Sequence, residues 1–127
     1  MNKIHILVAD DIFSNQLLIK SIIEDAGYPC KVVSNGQKLV DELKKQDYAA
    51  IFTDIEMPVM NGLETVRYIR EDMQNTAIPI IAMTAHSRGE FMDKVKKAGF
   101  SDIITKPYSI EKFKEILARY TQTNTEE

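Results

Sequence analysis

Short apolar runs alternate along the chain with amphipathic stretches, and polar residues punctuate each change. Ile4-His5-Ile6-Leu7-Val8-Ala9 is the first run, and it stops at Asp10-Asp11. Its β-branched content predicts a strand. Ser14 is placed to cap a helix whose apolar positions Leu17, Leu18, Ile22 and Ile23 recur at helical spacing. Gly27 closes that helix. Residues 30–34 predict a second short strand, followed by an Asn35-Gly36 turn. Leu39, Val40 and Leu43 mark a short amphipathic helix, and residues 49–53 a third strand that ends at Asp54.

After a loop over residues 56–62, the positions Leu63, Val66, Tyr68 and Ile69 predict the next helix. Residues 79–83 read as a fourth strand ending at Thr84. Phe91, Val95 and Ala98 lie on a helix that stops at Gly99. Residues 102–105 give a fifth strand ending at Lys106-Pro107, and Ile110, Phe113, Ile116 and Leu117 give the last helix its apolar face. Residues 121–127 are a polar tail. Near-continuous apolar strands are those of a parallel sheet buried on both faces. Their regular alternation with helices predicts a doubly wound α/β sheet covered by helices on both sides.

Length changes this picture little. The 127 residues suit one domain over 1–127, with a folded core of about 3–120. A net charge of −3 gives no sign of the basic face that direct nucleic-acid binding would use. No apolar run is long enough to cross a membrane, and no signal-peptide core precedes the first strand. The expected location is therefore the cytoplasm, with no membrane partner. Cys30 is the single cysteine, so no intramolecular disulfide forms. With two histidines in the chain, a structural zinc site is not expected. Cys30 reads as a small buried hydrophobe within a strand.

The candidate chemistry stands where the strands stop. Asp10 and Asp11 follow the first, Asp54 the third, Thr84 the fourth and Lys106 the fifth. In a parallel sheet these C-terminal ends share one edge, where open α/β sheets bind their ligands. The second strand brings nothing comparable and is expected at the sheet border. Three converging carboxylates repel one another unless protonated or held by a cation, and hard oxygen ligands suit Mg²⁺. Asp54 would then accept a phosphoryl group as an aspartyl phosphate, with Lys106 and Thr84 meeting the phosphoryl oxygens.

Each residue alone has a plainer reading. Asp10-Asp11 would serve as a helix-capping pair, Thr84 as a cap and Lys106 as a surface charge. Their coincidence on one edge favours the site. His86 reads as a surface residue, Met57, Met60, Met73 and Met83 as filler, and Lys94, Lys96 and Lys97 as a solvated face.

Asp10-Asp11, "TDIEMPVMNG" at 53–62, "AMTAHS" at 82–87 and "TKPY" at 105–108 together resemble the motifs of response-regulator receiver domains in two-component signalling. The resemblance runs from about Lys3 to about Tyr120. It implies a flavodoxin-like fold whose five strands lie in the order 2-1-3-4-5. It implies Asp54 as phosphoacceptor, Asp11 as direct Mg²⁺ ligand, and Asp10 as the acid that reaches the metal through water. The backbone carbonyl of Glu56 would be a further ligand, with Mn²⁺ as a substitute metal. Thr84 and Lys106 would hold the phosphoryl group, and the Lys106-Pro107 bond would be cis.

The implied partners are a sensor histidine kinase or a histidine-phosphotransfer protein, and a second copy of the chain when phosphorylated. The implied role is a non-enzymatic switch that promotes only its own phosphorylation and autodephosphorylation. It would work as a stand-alone regulator, or as a module of a hybrid kinase or longer regulator, and change partners around the fourth helix and fifth strand. Glu56 and His86 are expected near the mouth, where a carboxylate would repel or orient the hydrolytic water. Ile103 departs from the family, which usually carries Tyr or Phe three residues before the lysine. An aliphatic side chain cannot repeat the inward swing of an aromatic with a polar tip, so the readout is expected to differ.

Two other classes fit less well. Asp54-Ile55-Glu56 has the spacing of nucleophile and second acid in Mg²⁺ phosphohydrolases, but the chain leaves no room for a substrate-binding cap. A flavin binder cradles phosphate after its first strand, and here that loop begins with two acids. A pseudo-receiver acting only through contacts would lack one of the acids, the threonine or the lysine.

Overall fold

Alternate residues of each central strand feed two separate cores. The computed structural model describes residues 4–85 and 89–121. Leu7, Ala9, Ile51, Ile80 and Ala82 belong to one core cluster, and Ile6, Val8, Ala50, Phe52, Ile81 and Met83 to the other. Successive strand side chains point to opposite faces, so a run apolar at every position can only be buried from both sides. Burying each such side chain contributes about 1.5–3 kcal/mol.

The strands are β1 (Ile6–Ala9), β2 (Cys30–Val33), β3 (Ala50–Asp54), β4 (Ile80–Thr84) and β5 (Asp102–Thr105). All pairings are parallel, in the order β2-β1-β3-β4-β5. The helices are α1 (Phe13–Asp25), α2 (Gly36–Lys45), α3 (Gly62–Arg67), α4 (Gly89–Ala98) and α5 (Ile110–Thr121). On one face α1 brings Ile19, Ile22 and Ile23, and α5 brings Phe113, Ile116 and Leu117. On the other, Leu39 of α2, Val66 of α3 and Val95 of α4 close the core. Among the described residues no helix is long and apolar enough to cross a membrane.

Several local expectations need correction. Ser14 does not cap α1. The cap position is Ile12, and its N–H is held by Asp10 Oδ1 at 2.9 Å, so the helix starts two residues earlier. Leu17 and Leu18 are exposed, at 55% and 49%, and Ile19 takes the buried position with Ile22 and Ile23. Asn35-Gly36 is not a free turn: Asn35 caps α2 by accepting the Lys38 N–H at 2.9 Å. Ile110 heads α5 but faces outward. Cys30 is half-buried rather than buried.

The chain after α3 widens into a π-helical turn, Tyr68–Asp72. From that turn Arg70 reaches across two loops. Its Nε donates to Gly99 O at 2.9 Å and its Nη1 to Ile78 O at 2.7 Å. No charge pattern announces this clasp, because its acceptors are backbone carbonyls and the Ser101 hydroxyl.

Candidate functional site

Strand register brings the polar residues to one level. Ala9 pairs with Thr53, so Asp10 stands beside Asp54 at the end of β1 and β3. Thr84 pairs with Thr105, which puts Lys106 one residue beyond, on the neighbouring strand end. The Lys106 N–H donates to Thr84 O at 2.8 Å and fixes that loop to β4. The Lys106-Pro107 peptide is cis, as expected.

Lys106 Nζ lies 3.0 Å from Asp54 Oδ2. The other oxygen, Asp54 Oδ1, accepts the Ile55 N–H at 2.9 Å. Asp54 is 6% exposed, so its carboxylate is held inside the edge and not presented on a flexible stem. Carboxylate oxygens of Asp10, Asp11 and Asp54 all lie within 4.8 Å of one another. Asp10 and Asp54 are buried and Asp11 is exposed, so the cluster opens to solvent on the Asp11 side. Thr84 is buried at the end of β4. Glu56 is exposed in the loop beyond Asp54. His86 lies outside the described residues.

Burial raises the Asp10 carboxyl above its ordinary 3.8, the Ile12 N–H opposes this, and the neighbouring Asp54 charge adds to it. Three carboxylates face one ammonium here, which leaves negative charge uncompensated. Asp10 Oδ2 is buried and has no hydrogen-bond partner among the described residues. An orphaned acceptor beside two more carboxylates fits a hard divalent cation or a water bound to one. Asp10, Asp11 and Asp54 are therefore the residues able to hold such an ion.

The loop after Asp54 is shaped by two glycines. Gly62 N–H donates to Ile55 O at 2.7 Å, and a Cβ on Gly62 would come within 2.5 Å of Asp54 O. Gly36 N–H donates to Met60 O at 3.0 Å, and a Cβ there would run into Thr65 Oγ1. Asn61 and Glu64 form a reciprocal capping box at the start of α3. The Asn61-Gly62 pair was visible in the sequence as a turn, but its close approach to the Asp54 carbonyl was not.

Outside the acids, three site loops also carry exposed apolar side chains. Ile12 and Phe13 follow Asp11, Val59 follows Glu56, and Ile110 follows Tyr108. The sequence pattern puts Val59 in a loop and Ile110 on an apolar helix face, and it does not single out Ile12 or Phe13.

The family model for the response regulator receiver domain matches residues 6–118. The chain belongs to that family, a class of signalling phosphoacceptor domains. Sensor protein EvgS of Escherichia coli K12 is 32% identical over 120 residues, covering 94% of this chain and 10% of EvgS. The chain spans between 7% and 16% of the length of the first curated relatives it matches, which are named as histidine kinases or sensor proteins. Among solved structures, the receiver domain of sensor histidine kinase PA1611 from Pseudomonas aeruginosa PAO1 superposes with a TM-score of 0.85. It is 30% identical, covers 96% of this chain and 100% of its own, and holds a magnesium ion in its active site cleft. The receiver domain of Saccharomyces cerevisiae Ssk1, solved with the histidine phosphotransfer protein Ypd1, has a TM-score of 0.85 at 26% identity. It covers 94% of this chain and 89% of that one.

Proposed function

We propose that Asp54 accepts a phosphoryl group from a partner phosphohistidine, and that the modified site then changes which proteins the domain contacts. The observation that carries this is the Asp54 carboxylate, buried and held 3.0 Å from Lys106 Nζ beside two further acids. In the step, an Asp54 oxygen forms a bond to phosphorus as the P–N bond to the donor imidazole breaks. The imidazole leaves with the bonding electron pair and takes a proton. Lys106 moves its ammonium from carboxylate to phosphoryl oxygen, and the Thr84 hydroxyl donates to another. The acids would hold Mg²⁺, or Mn²⁺ in its place, and that ion would supply charge neutralisation at the carboxylates and the phosphoryl oxygens. Asp11 would be a direct ligand, Asp10 would reach the ion through water, and Asp54 with the Glu56 carbonyl would complete the protein's share.

The receiver in PA1611 supports this reading through its magnesium ion, and the Ypd1 complex supports a histidine-phosphotransfer partner. A sensor histidine kinase is the alternative donor. The exposed rim of Ile12, Phe13 and Ile110 supports docking of a protein donor, since apolar side chains around a polar centre mark contact sites. The domain works in the cytoplasm, makes no direct nucleic-acid contact, and pairs with a second copy when phosphorylated. Residues 1–127 act as one receiver unit, alone or inside a longer kinase or regulator. Its chemistry is confined to its own phosphorylation and dephosphorylation. Glu56 tunes the lifetime, so dephosphorylation rates differ between the unmodified chain and Glu56→Ala; equal rates remove that role.

The test is transfer from a phosphorylated histidine-phosphotransfer domain in Mg²⁺. Loss of label from the donor and its appearance on the chain, but not on Asp54→Asn, supports the reading. Transfer to Asp54→Asn at an unchanged rate overturns it.

A further inference from the structure

Two buried oxygens at the site edge have no hydrogen-bond partner among the described residues: Asp10 Oδ2 and the Tyr108 hydroxyl. Strand alternation puts them on the same side. Ile6 and Val8 point into the core beneath α1 and α5, and Asp10 continues that parity. Phe52 and Ile104 point the same way, and Asp54 and Lys106 continue theirs. Tyr108 packs against this same core, with its ring edge on Phe113 at 5.5 Å between centroids. Phe113 in turn stacks on Phe52 at 4.6 Å, two residues before Asp54.

The ring of Tyr108 is therefore fixed by its contact with Phe113, on the face of the sheet to which Asp10 and Asp54 also belong by strand parity. Burial raises the phenol's pKa, and the charges of Asp10 and Asp54 add to the shift, so both carboxylates act on this hydroxyl. A buried phenol left without a partner is costly, and so is a buried carboxylate oxygen. One buried donor and one buried acceptor, each without a partner among the described residues and both on this face of the sheet, are groups that a buried water can satisfy together.

We propose that Tyr108 is a positioning residue of the acidic site, its hydroxyl donating to a buried water that donates to Asp10 Oδ2. The inference rests on the reading of Asp10, Asp11 and Asp54 as a cation site. Ile12 N–H fixes one oxygen of Asp10, and the Tyr108-held water fixes the other. With both oxygens held, Asp10 keeps its carboxylate plane facing the cation position. Groups that orient metal ligands in this way commonly change metal affinity by about 10-fold or more. Tyr108 also joins the site to α5, since the ring that carries the hydroxyl leans on Phe113.

The test compares the full chain with Tyr108→Phe, which removes the hydroxyl and keeps the ring, and Tyr108→Leu, which removes both. Mg²⁺ affinity is measured by calorimetry and thermal stability without metal by circular dichroism. Tyr108→Phe is expected to weaken Mg²⁺ binding about 10-fold without lowering the metal-free Tm. A crystal structure with Mg²⁺ is expected to hold a water within hydrogen-bond distance of both Tyr108 Oη and Asp10 Oδ2. Tyr108→Leu is expected to weaken binding at least as much and to lower the metal-free Tm as well, because it also loses the Phe113 contact. Equal Mg²⁺ affinity in the full chain and Tyr108→Phe overturns the proposal while leaving the cation site standing. An unmodified chain that binds no Mg²⁺ overturns the cation site, and the role of Tyr108 with it.

Discussion

Lys106 Nζ stands 3.0 Å from Asp54 Oδ2, although 52 residues separate the two along the chain. The pair partly offsets a charge problem that the fold itself creates. Asp10 and Asp54 are buried side by side with Asp11 at the mouth, and one ammonium is too little to balance them. Without metal, Asp10→Asn is therefore expected to stabilise the fold by about 1–3 kcal/mol, because it removes one buried charge and keeps the acceptor for the Ile12 N–H. Lys106→Met is expected to act in the opposite sense. Urea denaturation checks both. Adding Mg²⁺ should stabilise the unmodified chain more than Asp10→Asn, by ligand linkage.

Gly62 makes a second, steric claim on Asp54. The Cβ of an alanine would meet Asp54 O at 2.5 Å and Ile55 Cα at 2.8 Å, both backbone atoms that cannot swing aside. Gly62→Ala is expected to cost about 1–3 kcal/mol and to slow phosphoryl uptake, since the strand end carrying Asp54 must shift. Denaturation midpoints and uptake rates test this together. An alanine variant with unchanged stability and rate would show that the loop gives way freely.

Much of this architecture is legible in the sequence. Asp10, Asp54, Thr84 and Lys106 stood at the ends of apolar runs, and parallel strands carry such ends to one edge whatever their separation in sequence. The errors were of another kind. The apolar face of α1 was misjudged because Leu17, Leu18, Ile19, Ile22 and Ile23 offer two overlapping helical stripes, and only packing on β1 and β3 selects one. Asp10 serves in both of its readings, since its Oδ1 accepts the Ile12 N–H at the start of α1 while the residue stands among the site acids. Arg70 was invisible because its partners are three backbone carbonyls and the Ser101 hydroxyl, none of which a charge pattern announces.

The exposed stripe of α1 has a consequence of its own. Phe13 is 70% exposed and Leu17 55%, one helical turn apart, and Phe13 follows Asp11 by two residues. Phe13→Ser is expected to slow transfer from a phosphohistidine protein by about 10-fold or more, as loss of an aromatic contact anchor does. Uptake from a small phosphodonor should stay the same, since no protein need dock. Equal slowing with both donors would place Phe13 in the fold and not in the contact.

Cys30 lets the solvation of the β2 edge be read by pH. Burial pushes its thiol up from 9.0 to about 12, while Lys20 pulls it slightly back. The folded chain therefore favours the protonated thiol. Its contribution to stability is complete below 9.0 and is lost as pH rises from there toward about 12. At pH 8 alkylation by iodoacetamide should be slower than in the urea-unfolded chain by about 100-fold or more, because the thiolate is the reacting form. Equal rates in the two states would contradict the shift.

The central claim is that Asp54 is the acceptor and that the acids around it work through Mg²⁺. Incubation with acetyl phosphate and Mg²⁺, followed by intact-mass measurement beside Asp54→Asn, tests it most directly. The expected result is a labile gain of one phosphoryl group in the unmodified chain, absent in Asp54→Asn and absent when Mg²⁺ is withheld. A gain that persists in Asp54→Asn, or a folded chain that neither gains mass nor binds Mg²⁺, would contradict it.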